Sequence, residues 1–228
     1  VQCTRSNYLV MTEGLMNKVE KKLDVLCLGA AVVDIPLRPV SREVFDIESY
    51  PVDNIAMAVG GDAMNESTII SRLGCKTGLM AAIGDDAAGA FILRSCDEDN
   101  IDTEGVTIDP NLNTSINIGL VTEDGERTFI TVQGAECHFK KEWFEQIDMD
   151  NYENIYIAGY QVCGKSGEII SQWLKTVENV EEKQTFFAPG PMITAIESET
   201  MENLFALKPI LHINEAEAKG YTQRENVE

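Results

Sequence analysis

Blocks of apolar residues alternate with polar segments along this chain, and their spacing predicts strands and helices in turn. Short apolar runs, typical of buried strands, occur at residues 23–29, 76–83, 154–158, 185–188 and 209–213. Apolar residues recur at helical spacing over residues 63–73, 86–99, 141–147, 167–177 and 199–207. This alternation predicts an α/β fold, in which helices cover both faces of a parallel sheet.

Two regions do not fit the alternation, residues 36–58 and residues 113–133. Both are prone to form strands and have polar flanks. The second contains two β-rich runs that flank Asp124-Gly125, and Asp-Gly in this position is a strong hairpin signal. The sequence therefore predicts a small group of additional strands beside the main sheet.

Composition and charge exclude several classes of protein. Of the 228 residues, 44% are hydrophobic and 25% are charged, as in ordinary globular domains. The net charge is −20, from 38 acidic and 18 basic residues, and such a surface repels the phosphate backbone of nucleic acids. No apolar run is long enough to span a bilayer, so no membrane partner is expected. The six cysteines form no C-x-x-C pair, which predicts reduced thiols in a cytoplasmic protein.

The first residues of the chain have the character of an extension. Val1 is not an initiator, and residues 1–15 lack the basic segment and solid apolar core of a signal peptide. Met16 begins a stretch that is more typical of a natural start. We therefore expect residues 1–15 to be a non-native or disordered extension and residues 16–228 to form the domain.

A glycine-rich segment at the start of the predicted helix 63–73 has the chemistry of a ligand site. It reads Gly60-Gly61-Asp62-Ala63-Met64-Asn65-Glu66-Ser67. The glycine pair lets backbone approach a ligand closely, because no Cβ stands in the way. Asn65 can donate and accept hydrogen bonds, and the helix N-terminus offers free N–H groups with positive partial charge. These features suit a polyhydroxylated ligand that is held through its hydroxyl groups.

This segment resembles the first signature of the ribokinase-like (PfkB) carbohydrate and nucleoside kinases. The glycine pair, Asn65, the small residue Ser67, Gly74 and Gly84 all stand at the spacing of that signature. The resemblance implies transfer of the γ-phosphoryl group of ATP to a hydroxymethyl group of a sugar or nucleoside, with Mg²⁺ as the cation. It also implies that the regions 36–58 and 113–133 form a β-lid over the acceptor, through which a homodimer would form.

The second signature of the family, Asp-Thr-x-Gly-Ala-Gly-Asp, is absent from the sequence. In the family its last Asp is the general base, and its glycines form the anion hole for the transferring phosphoryl group. The resemblance covers residues 23–220 and corresponds to the N-terminal part of the family fold. We therefore expect the C-terminal part of the fold, with the general base, downstream of residue 228. This chain alone is expected to be an inactive fragment.

The resemblance also implies an acceptor site made of Asp34, Gly60, Gly61, Asn65 and Tyr160. Asp34 follows the first predicted strand, where ligands gather in α/β sheets, and corresponds to a family Asp that accepts hydrogen bonds from sugar hydroxyls. An exposed loop acid is the alternative interpretation. Tyr160 stands where ribose-specific relatives carry a sugar-binding glutamate, which favours a nucleoside or a sugar other than ribose.

Asn214 and Glu217 follow the last predicted strand and match the family's Asn-x-x-Glu motif, which lies near Mg²⁺ and the ATP phosphates. The spacing places both residues on one helical face, and a glutamate acting through water suits a hard cation. The same pair has the pattern of a helix capping box, with Asn at the N-cap and Glu at N3. The two interpretations are compatible, and both stay open here.

A competing motif occupies residues 159–166, Gly159-Tyr160-Gln161-Val162-Cys163-Gly164-Lys165-Ser166, which matches G-x-x-x-x-G-K-[ST]. It lies between a predicted strand and a predicted helix, as a phosphate-binding P-loop does. A P-loop NTPase is therefore an alternative function. Against it stand three βα units ahead of the motif and the lack of an acidic strand end for Mg²⁺. A non-catalytic sugar-binding fragment is the third hypothesis, since the acceptor half is present without the phosphoryl half.

Overall fold

The computed structural model describes residues 22–224 and is built on a six-stranded parallel sheet. In chain order the strands are β1 (Leu23–Leu28), β2 (Val32–Arg38), β3 (Asn54–Ile55), β4 (Ala58–Gly60), β5 (Thr77–Gly84), β6 (Val106–Asp109), β7 (Ile116–Val121), β8 (Arg127–Val132), β9 (Tyr152–Ala158), β10 (Gln184–Ala188) and β11 (Ile210–Leu211). The α-helices are α1 (Asp62–Arg72), α2 (Ala87–Glu98), α3 (Gly164–Leu174), α4 (Ser198–Ala206) and α5 (Glu215–Thr222). The main sheet has the order β11-β10-β9-β1-β5-β6, and each neighbouring pair is parallel.

The side chains of β1 point alternately into two hydrophobic cores. Leu26 and Leu28 lie in the core that α3 and α4 close, whereas Val25 and Cys27 lie in the core that α1 and α2 close. All four are buried. Successive strand residues face opposite sides of a sheet, so a sheet covered on both faces requires a strand that is apolar throughout. The α/β fold predicted from the apolar runs is confirmed.

A second sheet forms a small lid of β2, β3, β4, β7 and β8. Its strands follow the order β3-β2-β7-β8, and β4 pairs with β2. The strands β7 and β8 form the hairpin predicted around Asp124-Gly125, with Gly125 at a φ of +89°. The lid begins earlier than the predicted region 36–58, because β2 starts at Val32. Asp34, which follows the first predicted strand, lies half-buried within β2 and not in an exposed loop.

Three elements of the structure differ from the sequence pattern. The predicted helix 141–147 is only the 3₁₀ turn Lys141–Phe144, because Phe144 packs against Trp173, with ring centroids 4.6 Å apart, and this fixes the short turn against α3. The predicted strand 209–213 pairs only over Ile210–Leu211. The four-residue strand β6 is too short for its alternation to stand out from a loop.

The predicted extension, residues 1–15, lies outside the described residues 22–224. Within that described range, no helix combines the length and the apolar character that a bilayer crossing demands.

Candidate active site

Four parallel strands end at one edge of the main sheet, and the segments that follow them carry most of the candidate residues. Gly29 follows β1, Gly159 follows β9, and Ala188 ends β10. His212 follows β11, and its N–H donates to the Phe187 carbonyl at 2.9 Å. In open α/β sheets, ligands bind in the crevice at the carboxyl ends of the strands. The candidate residues lie there in two groups, one at the base of the lid and one around a cavity.

Gly61 lets α1 begin directly against the loop after β1. It is the N-cap of the helix, and its φ of +92° is one that side chains other than glycine rarely adopt. A Cβ at this position would lie 2.5 Å from the Ala30 carbonyl oxygen. The same oxygen accepts a hydrogen bond from the Met64 N–H at 3.1 Å. Glycine is therefore required for the close contact between the helix start and this loop.

Asp34 and Gly60 meet at the base of the lid. A Cβ on Gly60 would lie only 2.1 Å from Asp34 Oδ2, so the carboxylate fills the space that the glycine leaves. Asn117, on β7, donates from Nδ2 to Asp34 Oδ1 at 2.8 Å. The half-buried carboxylate is thus oriented by one amide and held over the first glycine of the signature.

Asn65 lies in the first turn of α1 with an exposed side chain, and its backbone N–H donates to the Gly61 carbonyl at 2.9 Å. Ser67, two residues later, is fully buried, and its hydroxyl donates to the Ala63 carbonyl at 2.7 Å. Of the two polar residues of the signature on this helix, only Asn65 is accessible to a ligand. Ser67 serves the packing of the helix.

A cavity of about 300 Å³ joins the start of α1 to the segment that begins α5. The structure brings Tyr160, Asn214 and Glu217 together in its wall. Tyr160 is 55% exposed, which leaves its ring available to a ligand. Asp34, Gly60 and Asn65 are not among the lining residues, so the second group is separate from the lid base. Asp62 and Glu66 of α1 also line this cavity and connect the two groups through the helix.

Tyr156 of β9 lines the same cavity but is only 7% exposed. Burial raises the pKa of its phenol well above the usual range, and the charges of Glu66 and Asp62 raise it further. The phenol is therefore protonated across the physiological range and can donate a hydrogen bond.

Asn214 and Glu217 form a complete capping box at the start of α5. Asn214 Oδ1 accepts from the Glu217 N–H at 2.9 Å, and Glu217 Oε2 accepts from the Asn214 N–H at 3.1 Å. Asn214 Nδ2 also donates to Glu217 Oε1 at 2.7 Å. The cap that the sequence pattern indicated is present. Each carboxylate oxygen has capacity for a further hydrogen bond.

Glu217 fits a magnesium ion only in a water-mediated role. Within residues 22–224, no group of three or more His, Cys, Asp and Glu side chains is arranged to hold a metal ion. Mg²⁺ usually keeps several waters and is bound through one or two carboxylates and the phosphates of a nucleotide. A carboxylate already engaged in a cap suits such an outer position.

Sequence reasoning missed two polar residues near this edge, in addition to Asp62. Asn117 orients Asp34, and its signal was its place in the strand of the predicted hairpin that pairs with β2. Gln161, directly after Tyr160, is 4% exposed, and its Oε1 has no hydrogen-bond partner among the described residues. A buried polar group without a partner is costly, so Gln161 marks a position where a further donor is needed.

The competing motif at residues 159–166 does not form an open loop for phosphate. The Gly164 N–H donates to both carboxylate oxygens of Glu197, at 3.0 and 3.1 Å. Lys165 is paired with Glu168 at 2.7 Å. In a P-loop, the amide and the lysine both face the phosphate. Here Glu197 accepts from the amide and Glu168 neutralises the lysine.

The hydroxyl of the motif is also engaged within the protein. Ser166 is buried, and its Oγ accepts from the Phe139 N–H at 3.2 Å and donates to the Cys137 carbonyl at 3.1 Å. A P-loop needs this hydroxyl for Mg²⁺. The contacts of Gly164, Lys165 and Ser166 weigh against a nucleotide loop and describe instead a well-anchored start of α3.

Comparison with known proteins places the chain in a family. The model described as pfkB family carbohydrate kinase matches residues 22–228. The chain is 25% identical over 214 residues to the uncharacterized sugar kinase YegV of Escherichia coli (strain K12), covering 92% of this chain and 64% of YegV. It is 33% identical over 81 residues to the aminoimidazole riboside kinase of Salmonella typhimurium, covering 35% of this chain and 25% of that protein.

Solved structures show the same fold. The fructokinase from Xylella fastidiosa superimposes with a TM-score of 0.73 at 16% identity, over 88% of this chain and 62% of the fructokinase chain. A nucleoside kinase from Methanocaldococcus jannaschii, an archaeal member of the ribokinase family, gives a TM-score of 0.68 at 18% identity, over 91% of this chain and 66% of that chain. The chain thus spans less than two thirds of the length of YegV and of the fructokinase. From its sequence match and its ribokinase-like fold, the chain belongs to the pfkB family of carbohydrate kinases.

Proposed function

We propose that the protein to which this chain belongs transfers the γ-phosphoryl group of ATP to a hydroxymethyl group of a sugar or nucleoside. The observation that carries this proposal is the contact between Asp34 and Gly60, which sets a carboxylate beside the glycine pair of the signature. The similarity to a sugar kinase and a riboside kinase supports the same class of acceptor.

The acceptor would be held at the base of the lid. Asp34, oriented by Asn117, would accept hydrogen bonds from acceptor hydroxyls. Gly60 and Gly61 would let the acceptor lie against backbone, and the exposed amide of Asn65 would bond a further hydroxyl. Tyr160 would offer its ring face to a base or to the apolar face of a sugar. Fixing a hydroxymethyl group in this way supplies the positioning on which phosphoryl transfer depends.

Bound ATP would supply the phosphoryl group, as the solved fructokinase from Xylella fastidiosa with bound ATP suggests for a related fold. Asn214 and Glu217 would lie on the nucleotide side of the cavity. Glu217 would orient a magnesium-bound water from its capping-box position. The cytoplasmic location indicated by the cysteines stays a prediction.

Residues 1–228 alone would bind an acceptor without turning it over. The Asp-Thr-x-Gly-Ala-Gly-Asp signature is not in the sequence, so no residue of this chain is assigned as general base or anion hole. The non-catalytic sugar-binding hypothesis therefore describes this stretch of chain, while catalysis would require the longer protein.

The lid would also provide the surface for a homodimer. Strand β8 is exposed along its length and carries Phe129, Ile130 and Val132, which are 55%, 49% and 54% exposed. Apolar side chains of this kind on an unpaired edge strand favour pairing with another copy. Sedimentation of the purified protein, compared with a Phe129→Lys variant, would test this: a monomer in both cases would contradict it.

The test of the main proposal is phosphoryl transfer from ATP to D-fructose, D-ribose and adenosine. The chain 1–228 would be compared with a kinase-length protein extended through the downstream signature. We expect turnover of at least one acceptor by the longer protein and none by residues 1–228. Comparable turnover by both would show that this chain holds an unassigned base.

Asn65→Ala in the longer protein isolates the acceptor role. Loss of one buried polar contact to the acceptor should lower acceptor kcat/KM by about tenfold to a hundredfold. Asn203→Ala, on α4, is the matched control, because that amide donates to Ser171 Oγ at 3.4 Å, away from the lid and the cavity. Unchanged acceptor kinetics in Asn65→Ala would remove Asn65 from the site.

A further inference from the structure

The geometry points to Asp62 as a positioning residue for the proposed acceptor site. Its carboxylate joins the loop after β1 to the first turn of α1, and the loop after β9 lies beside it. This role rests on the proposed function, because these segments lead to the residues that would hold the acceptor. Asp62 follows the glycine pair directly and was not singled out by the sequence.

One carboxylate oxygen of Asp62 makes both of the joining contacts. Its Oδ1 accepts from the Ala30 N–H at 2.9 Å, across 32 residues of chain, and from the Ala63 N–H at 2.9 Å. The Tyr160 N–H also faces the carboxylate, although Oδ2 has no fully formed hydrogen bond. The side chain therefore stands where segments from three parts of the sequence converge.

These segments carry the proposed acceptor residues. The loop at Ala30 leads into β2 and Asp34, the helix start carries Asn65, and the loop after β9 carries Tyr160. A shift of the Ala30 loop relative to α1 would move Asp34 away from Asn65. Reacting groups misplaced by about 1 Å can lose about a hundredfold in rate, so the contact at Ala30 has consequences beyond local stability.

The local backbone explains why a carboxylate is needed at this position. The N-cap of α1 is Gly61, which has no side chain to accept from the first N–H groups of the helix. In α2 and α5 that role belongs to N-cap side chains, Asp86 and Asn214. Asp62 takes it over from within the first turn while also reaching the Ala30 N–H. The glycine required for close approach and the aspartate that follows it thus act as one unit.

The ends of β1 and β9 lie close to one side of the carboxylate. A Cβ on Gly29 would lie 2.9 Å from Asp62 Oδ1 and 2.5 Å from the Ala158 Cβ. Burial raises the pKa of Asp62, while the N–H groups of Ala30, Ala63 and Tyr160 oppose that effect. A group that is partly buried despite this cost and bonded across the fold is suited to fixing geometry.

The test compares Asp62→Ala with Asp62→Asn in the kinase-length protein. Alanine removes both contacts, whereas asparagine keeps an Oδ1 that can accept from Ala30 and Ala63. We expect Asp62→Ala to lower acceptor kcat/KM by at least about tenfold, with the KM for ATP changed by less than about twofold. We expect Asp62→Asn to return acceptor kcat/KM to within about threefold of the unsubstituted protein.

Glu197→Ala is the matched control. Like Asp62, Glu197 accepts a hydrogen bond from an N–H group far away in sequence. The donor is Gly164, 33 residues away, at the start of α3. The control variant should change thermal stability without changing the KM for the acceptor. A folded Asp62→Ala protein with unchanged acceptor kinetics would overturn the inference. The inference would also be overturned if acceptor kcat/KM of Asp62→Asn were as low as that of Asp62→Ala. Equal increases in the KM values for ATP and for the acceptor would overturn it as well.

Hydrogen exchange on the chain 1–228 gives a readout that does not depend on catalysis. Asp62→Asn should keep the protection of the Ala30 amide, and Asp62→Ala should lose it while α3 and α4 stay protected. If alanine does not fold, Asp62→Ser, whose hydroxyl is too short to span both contacts, takes its place in both measurements. Absence of turnover by the unsubstituted longer protein would defeat the proposed function. If the Ala30 amide is equally protected from exchange in the Asp62→Ala and unsubstituted proteins, the positioning role is contradicted.

Discussion

Asn117 Nδ2 lies 2.8 Å from Asp34 Oδ1, and the two residues are direct partners in the parallel pairing of β2 with β7. The lid hairpin therefore determines where the carboxylate of the proposed acceptor site points. A lid of this kind does more than cover a ligand, because one of its strands carries an acceptor residue and the next strand orients it.

Asn117→Ala should weaken acceptor use without unfolding the lid. A hydrogen bond to a charged group is worth about 1.5–3 kcal/mol, which corresponds to roughly a tenfold to hundredfold rise in acceptor KM if it fixes the productive rotamer. Thr128→Ala, an exposed position on β8, is the control for lid stability. Steady-state kinetics in the kinase-length protein would measure the effect, and equal KM values for the two variants would contradict it.

Gly60→Ala should strongly reduce acceptor turnover, although it adds only one methyl group. The new Cβ would fall 2.1 Å from Asp34 Oδ2, so either the carboxylate or β4 must move. We expect acceptor turnover to fall by about a hundredfold, as for a reacting group displaced by about 1 Å.

Gly220→Ala is the control for this substitution. In α5 the new Cβ would lie 3.6 Å from Thr194 Cγ2, which is ordinary contact. Helix propensity there should make the protein slightly more stable, by up to about 1 kcal/mol. An active Gly60→Ala protein would show that Asp34 can rotate away without loss, which removes it from the proposed site.

The main elements could be predicted because each is supported by local pattern. The strands β1 and β5 are apolar and buried over most of their length, as a sheet covered on both faces demands. The helix α2 could be bounded well because Asp86 caps it by accepting from the Gly89 N–H at 2.8 Å. In these cases the local pattern is enough to predict the element.

The contacts that shape the candidate site join residues far apart in sequence, and no local pattern reveals them. Asn117 and Asp34 are 83 residues apart, and Asp62 and Ala30 are 32 residues apart. The apolar pattern predicted no strand at Asp34, whereas pairing with β4 and β7 makes that segment a strand. Residues chosen from the family resemblance could be named in advance, whereas those that orient them could not.

The pair Asp109–Lys140 should make the stability of the fold depend on acidic pH. The Lys140 ammonium lowers the pKa of Asp109 through their hydrogen bond, and the Asn111 N–H adds to this effect. A carboxyl with a lowered pKa in the folded state stabilises the fold fully above its unfolded pKa, near 3.9. That contribution is lost as the pH falls through the lower folded pKa.

Asp109→Asn should therefore lower the melting temperature at pH 7, and the difference should shrink as the pH falls below about 4. Thermal melts of both proteins at several pH values would measure this. Glu98→Gln is the control, since its contact with Arg94 is long, 3.9 Å, and exposed. A melting-temperature difference for Asp109→Asn that is constant with pH would show that the lysine pair is not its cause.

Lys165→Ala should leave nucleotide use unchanged. Its side chain is 74% exposed, its ammonium is paired with Glu168, and the neighbouring Gly164 amide donates to Glu197. Exposed pairs of this kind contribute about 0–1 kcal/mol to stability, so the fold should be unaffected. ATP turnover would be measured in the kinase-length protein with and without acceptor. Loss of ATP hydrolysis in Lys165→Ala alone would revive the P-loop hypothesis.

Glu217→Gln separates the two roles of the residue that caps α5. Glutamine at N3 preserves a capping box, since its carbonyl oxygen can accept from the Asn214 N–H as Oε2 does now at 3.1 Å. The helix should therefore stay intact, while the negative charge that would orient a magnesium-bound water is removed. We expect turnover to need about tenfold more Mg²⁺, as for loss of one charge-assisted hydrogen bond, with a melting temperature near that of the unsubstituted protein.

Glu215→Gln provides the control within the same helical turn. Glu215 is exposed and pairs with Lys219 at 2.5 Å, so its loss removes an equal charge from α5 without touching the capping box. Titration of Mg²⁺ at saturating ATP and acceptor should shift for Glu217→Gln and stay in place for Glu215→Gln. Overlapping titrations for the two variants would leave Glu217 with its capping role alone.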